Sequence, residues 1–279
     1  MRRNNTPLRT AGKIFAGILI LIWSIGPMYW ALVVSLSRPA ALTGSLSFVP
    51  DPATLKSYVS LLSGSGFDFA AALRNSAIEG VATMIVTVLV ALLAAYAFVR
   101  LPFRGSTALY LIVLGSLALP GYAVIIPLFQ LATGVHQVDT YQAIVLVNVS
   151  AILPLAMWIL RSHIAAMPVE IEQAARLDGA STWTVLSRII APVIAPGVAA
   201  AAVVVFLSTW SAFLVPLVLS STAHTEPVTV VIPQYVTKYG QEYGLQAAAG
   251  ILALAPPVVV VLWLNRYLVR GLTFRGVTG

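Results

Sequence analysis

Few residues in this chain are equipped for chemistry. There is no cysteine, which excludes disulfides, thiol catalysis and thiolate metal sites. The histidines are His136, His163 and His224, and no HExxH or similarly spaced ligand set occurs. The lysines are Lys13, Lys56 and Lys238, none of them in a G-x-x-x-x-G-K-[ST] loop, so the chain shows no nucleotide site of its own. No nucleophile, acid/base pair or metal site is assembled, which argues against a membrane-bound enzyme. What does stand out is a concentration of charge. The stretch "AMPVEIEQAARLDGAST", residues 166–182, places Glu170, Glu172, Arg176 and Asp178 within nine positions, between Pro168 and Gly179.

Those charges must be positioned by an otherwise apolar chain. Of 279 residues 59% are apolar and only 9% are charged. A soluble protein of this length could not cover so much apolar surface, so the class is an all-α integral membrane protein. The +7 net charge is dispersed between apolar runs and forms no nucleic-acid patch. Six uncharged runs are long enough to cross a bilayer as helices: Ile14–Ser37, Gly80–Val99, Ser106–Val135, Thr140–Leu160, Ile189–Ala223 and Tyr243–Asn265. The prolines in and beside them are expected to kink helices. The first run exceeds the h-region of a signal peptide and is expected to remain as a span. With both termini inside, twelve basic residues fall in inner segments and four (Arg38, Lys56, Arg74 and Lys238) in outer ones. The positive-inside rule favours that orientation.

Outer loops are then expected at 38–75 and 220–246, and one long inner loop at 161–188. In that inner loop Pro168 suits a first helical turn, and Glu170 and Glu172 suit its positive dipole end. Glu172 and Arg176 are four apart in the favourable order. Ala174 and Ala175 offer a small-residue surface, Gly179 ends the helix, and Ser181 caps the next. Two readings follow from this local chemistry. One is an interfacial helix that only connects two spans; the other is a helix that docks in a partner's groove, with its alanines at the contact and its charges fixing register.

"PVEIEQAARLDGASTWTVLSRIIAP" resembles the cytoplasmic coupling motif of bacterial ABC-importer permeases, EAA, three residues, G, nine residues, I, one residue, LP. Gln173, Ala174, Ala175, Gly179, Ile189 and Pro192 hold the required spacing, while Gln173 replaces the glutamate and Ala191 the leucine. "LRNS" at 73–76, "LPFRG" at 101–105, Pro127 with "GVHQVDTYQAIVL", "FLSTWSAFLVPLVL" and "GLTFRGVTG" resemble further segments of the maltose-type carbohydrate branch. Asp139 stands there where Asn is common, and Ser211 where Asn is usual. The resemblance implies a type I ABC importer permease fold, with six transmembrane helices and a cytoplasmic coupling helix, in a multi-pass protein of the cell membrane. It implies an N-terminal tail, first helix and outer loop over 1–72, a transmembrane core over 73–268 and a C-terminal tail over 269–279. The expected partners are a second homologous permease subunit, a pair of ABC ATPase subunits and an extracytoplasmic solute-binding protein, with the loop at 220–246 in contact with the last. No cofactor is expected on this chain; ATP and Mg are expected in the ATPase subunits.

The expected coupling residues are Pro168, Glu170, Glu172, Gln173, Ala174, Ala175, Asp178, Gly179 and Pro192. For a sugar-like solute, recognition needs aromatic faces beside hydrogen-bonding groups. Candidates along the spans are Glu79, Tyr122, Asn148, Trp210, Ser211 and Phe213, with Gln130 and Ser150 as further polar positions. Each has a competing use, since membrane-helix Ser and Asn often bridge helices and Trp and Tyr often anchor at interfaces. A stand-alone carrier would carry inverted repeats and several intramembrane charges, whereas Glu79 is the lone acid of this kind.

Overall fold

The computed structural model describes residues 7–38, 48–50, 52–63, 68–101, 103–237 and 240–273; at 7–11, 122, 236–237, 240–241 and 267–273 it describes the backbone only. The N-terminal residues 1–6 and the tail beyond 273 lie outside the described residues. Among the described residues the elements are almost all helical. They run α1 Pro7–Leu36, α2 Lys56–Leu62, α3 Phe69–Arg100, α4 Ser106–Gly115, α5 Gly121–Gly134, α6 Tyr141–Ala165 and α7 Val169–Leu177, followed by α8 Thr182–Val193, α9 Ala195–Trp210, α10 Leu214–Leu219, α11 Val228–Gln234 and α12 Tyr243–Thr273. One short antiparallel pair, β1 Val236–Thr237 and β2 Gly240–Gln241, precedes α12.

Four of the six expected spans are single helices, over Gly12–Leu36, Phe69–Arg100, Tyr141–Ala165 and Tyr243–Arg266. The other two apolar runs are broken. The run expected at Ser106–Val135 bends by 102° between Ala118 and Ala123. Leu119 there is extended (φ −72°, ψ 126°), as a residue before proline prefers, and Pro120 cannot continue the ladder. The run expected from Ile189 bends by 80° at Ile194, between α8 and α9, where Pro196 opens the new helix. α8 carries a π-helical turn over Val185–Ile190.

The loops also differ from expectation. α3 begins at Phe69, eleven residues before the apolar run at Gly80. The segment 220–246 is not a plain loop: Pro227 starts α11, and the hairpin follows.

The chain divides into two compact units. The first holds residues 1–70 and 231–254. In it Ser35 Oγ and Tyr58 Oη lie 2.7 Å apart, and the Thr54 amide donates to Leu36 O at 2.8 Å, so α2 is tied to the end of α1. The second unit holds residues 71–230 and 255–279. Its core is lined by Ala91 and Ala95 of α3, Ala156, Leu160 and Ile164 of α6, Val185 and Ile190 of α8, and Ala201 and Val205 of α9. Alanines at these crossings let helix backbones approach closely, which supplies van der Waals contact where lipid removes the hydrophobic drive. Gly197 serves the same end, since a Cβ there would lie 2.5 Å from the His163 ring.

Candidate functional site

α7 is held against the second unit by Arg100, the last residue of α3. Arg100 Nε donates to Glu172 Oε1, and Arg100 Nη2 donates to the carbonyls of Ile164 (3.1 Å) and Met167 (2.8 Å). One guanidinium therefore joins three segments: it ends α3, caps α6 and pairs with α7. Its fork geometry allows this, and a cation suits the carbonyl end of a helix. Glu172 is only 3% exposed, and Arg100 is the ion-pair partner it meets inside the chain. Arg176 Nη2 donates to Tyr96 Oη at 3.0 Å.

The helix boundaries follow from local chemistry. Pro168 (φ −57°, ψ 132°) sits just before α7, where its missing N–H costs nothing. At the other end the Ala180 amide donates to Ala175 O and the Gly179 amide to Arg176 O. That is a Schellman ending, and Gly179 adopts the left-handed φ of +85° it requires. Ser181 Oγ then accepts from the Thr184 amide at 3.2 Å and starts α8.

This geometry corrects two expectations. Glu172 does not pair with Arg176 and does not face outward; it is consumed inside the chain. Ala175 packs on the core beside Ala180. Glu170, Gln173, Ala174, Asp178 and Gly179 are exposed, as is Pro192 on α8. So are four apolar side chains: Val169 (41%), Ile171 (42%), Leu177 (89%) and Trp183 (67%). The exposed face of α7 is thus apolar and small, with charges at its ends.

A second organised region lies at the opposite end of α3. Asp139 carries a left-handed φ of 61° and accepts from the Ser221 and Thr222 amides and from the Thr222 and Thr225 hydroxyls, at 2.5 to 3.2 Å. Burial alone would raise its pKa; these four donors more than offset that and hold it at about 2. Asn75 Nδ2 donates to the carbonyls of Ala223 and Glu226, and Tyr141 Oη donates to Asn75 Oδ1 and His224 O. The Val228 amide donates to Ser76 Oγ at 2.9 Å. Residues 220–228 are therefore fixed, with Ser221–His224 exposed at the tip.

Between these ends runs a polar line. Asn75, Glu79, Thr83 and Thr87 recur every fourth residue on α3, hence on one face, and each is at most 2% exposed. Glu79 Oε1, Thr83 Oγ1, Thr87 Oγ1 and, on α6, Asn148 Nδ2 are buried without a hydrogen-bond partner among the described residues. Gly80 meets Phe206, and a Cβ there would lie 2.9 Å from its ring; Phe206 in turn stacks on Trp210 at 5.5 Å. The aromatic pair thus meets α3 at Gly80, the residue after Glu79 in the chain. Ser211 turns its hydroxyl back to Leu207 O, Ser150 to Val147 O, and Phe213 and Gln130 are exposed. The side chain of Tyr122 lies outside the described residues.

A helical multi-span chain with one short helix clamped at the end of its bundle defines an all-α integral membrane protein of the type I ABC importer permease fold. An 18%-identical crystal structure of a bacterial ABC transporter involved in import of the acidic polysaccharide alginate shares that fold, with TM-score 0.81 over 95% of this chain and 99% of that one. The chain belongs to the family of binding-protein-dependent transport system inner membrane components, whose model matches residues 87–274. It is 34% identical to the probable ABC transporter permease protein y4oR of Sinorhizobium fredii, over 82% of this chain and 81% of the relative. It is 33% identical to the trehalose/maltose transport system permease protein MalG of Thermococcus litoralis, over 95% and 96% of the two chains. An arabinooligosaccharides transport system permease of Halalkalibacterium halodurans is 26% identical across the full length of both.

Proposed function

We propose that this chain is the permease subunit of an ATP-driven importer that moves a sugar or sugar-like solute inward across the cell membrane. Its termini lie in the cytoplasm. α7 docks in a groove of one of a pair of cytoplasmic ATPase subunits, which supply ATP and Mg. A second, homologous permease subunit completes the path, and an extracytoplasmic solute-binding protein delivers the solute at the 220–246 side. The observation that carries this reading is the exposed apolar face of α7, with Leu177 at 89% exposure, on a helix that Arg100 fastens to two spans. A groove can grip that face, and movement of the groove is transmitted through Arg100 to α3 and α6 together. The sugar class is supported by the names of the trehalose, maltose and arabinooligosaccharide relatives.

The family supplies no catalytic role for the permease subunit, and the residues of α7 act through contact. Glu170, Gln173, Ala174, Leu177 and Asp178 meet the partner; Glu172, Ala175 and Gly179 shape and hold the helix. Leu177→Asp tests this. Uptake driven by ATP should fall at least tenfold and the ATPase subunits should co-purify poorly, while the permease still reaches the membrane. Unchanged uptake with unchanged co-purification would overturn the reading.

A further inference from the structure

We infer that the face of α3 bearing Glu79, Thr83 and Thr87 lines the solute path in an alternative packing of the bundle, and that it takes an uncharged, hydroxyl-rich solute. The inference rests on the importer reading and names the face and the ligand chemistry which that reading leaves open.

The argument begins from cost. Three groups in line on one helix face are buried with a polar atom unpartnered. A buried donor or acceptor forfeits hydrogen bonds that water would provide, and a carboxyl inside a membrane helix is the most expensive of them. Alanine or valine would seal this interface better, as Ala91 and Ala95 do further along the same helix. A line of unpaired groups is what a two-state bundle shows in the state where its path is shut; the same groups gain partners when the path opens.

The chemistry of the line narrows the ligand. Glu79 to Thr87 spans ~12 Å of helix, at 1.5 Å per residue. It offers a carboxyl and two hydroxyls, which match the alternating donors and acceptors of a polyol. Phe206, stacked on Trp210, meets α3 at Gly80, one residue along the chain from Glu79, and offers an aromatic ring to the alternative packing. No Lys, Arg or His occurs in residues 75–99, 141–160 or 195–210, the facing stretches of α3, α6 and α9. These stretches offer a carboxyl and no cation, which disfavours an anionic solute at the Glu79–Thr87 line; Arg161 and His163 lie beyond them, toward the α7 end of α6.

The absence of cysteine makes Thr83→Cys and Thr87→Cys single reporters on this chain. The assembled importer is placed in vesicles, and each variant is treated with a small, membrane-impermeant thiosulfonate, with and without a non-hydrolysable ATP analogue. Labelling is expected to differ at least about tenfold between the two conditions and to fall when saturating maltose or trehalose is present. Ile85→Cys, on the exposed side of the same helix, should label in neither. Equal labelling of Thr83→Cys and Thr87→Cys in both conditions overturns the inference. Glu79→Gln, which keeps the shape, is a second test that does not depend on the thiol variants folding. Replacing the carboxyl by an amide should raise KM for a neutral sugar about tenfold with kcat little changed. An unchanged KM also overturns the inference. Nucleotide-dependent labelling in vesicles that accumulate no sugar would uphold the moving face while overturning the sugar-importer reading.

Discussion

The two ends of α3 are both anchoring points, and they are built on different principles. At the Arg100 end a single guanidinium holds three segments, and its main partner is one buried carboxylate. At the Asn75 end the work is shared: Asn75, Ser76, Asp139 and Tyr141 contribute separate hydrogen bonds to residues 220–228. A concentrated anchor transmits force as a unit and fails as a unit. A distributed anchor sets a shape and loses it piecemeal. On the function proposed above, the first suits a helix that carries motion into two spans, and the second suits a tip whose backbone is presented in one conformation.

Removing one partner of the concentrated anchor should therefore have the largest effect. Glu172→Ala leaves Arg100 without its buried counter-charge, and loss of one member of a buried pair costs ~3–5 kcal/mol. α7 should become protease-sensitive and ATPase co-purification should collapse. Glu170→Ala, two residues away and exposed, should stay within about 0.5 kcal/mol of the parent. The double variant Arg100→Ala/Glu172→Ala should be less damaged than the sum of its single variants, because neither charge is then stranded. Additive damage, measured by thermal unfolding of the detergent-solubilised protein, would remove the concentrated anchor from the comparison.

The distributed anchor should yield less to any one change. Asp139→Ala removes the acceptor of four hydrogen bonds, but water reaches this site and replaces part of them, so about 1–2 kcal/mol is expected. Asp139→Asn should recover most of that, since Asn keeps an acceptor and tolerates the left-handed backbone. Amide exchange at Ser221 and Thr222 reads both variants directly. The same amides give the pH dependence. The Asp139 carboxyl is depressed from 3.8 to about 2, so its contribution is present above the unfolded value and is lost as pH falls through the folded one. Protection, corrected for intrinsic exchange, should be flat from about pH 8 to 5 and decline only below about 4. A decline near neutrality would show that another group holds the tip.

Much of the Arg100 end was legible in the sequence, because its signals are local. Gly179 and Ser181 define the end of one helix and the start of the next from neighbouring backbone alone, and both behave as their residue types require. The partner of Glu172 was not legible. Arg100 lies 72 residues away, and Arg176 at four residues offered a plausible local alternative. The same limit hid the clamp at Asp139, whose donors are more than 80 residues downstream. The polar line on α3 left a trace that hydropathy averaging erased: Asn75, Glu79, Thr83 and Thr87 recur every fourth residue across the boundary of the apolar run. The broken spans were obscured in the same way, since an uncharged run records burial in lipid and not the direction of the chain. Pro120 and Pro196 marked the bends, yet Pro154, Pro256 and Pro257 sit inside continuous helices. Proline permits a break, and the neighbouring packing determines whether one forms.

Gln173→Glu should have the smallest effect on the fold and offers the sharpest reading of the contact. Gln173 is exposed on α7, so a charge there alters little inside the chain. Gln173 is the fifth of nine residues in α7, past the first turn where the helix dipole acts, and repulsion from Glu170, three residues before, costs ~0.2–0.5 kcal/mol. Stability should stay within about 0.5 kcal/mol. The variant restores the glutamate that the EAA motif usually carries, so any change in ATPase co-purification or in uptake arises at the partner. A clear change would place Gln173 in the interface and separate the outward task of α7 from the inward task of Glu172. No change in either would confine the contact to the apolar face around Leu177, and the carboxylate usual at this position would then have no counterpart in how this chain meets its partner.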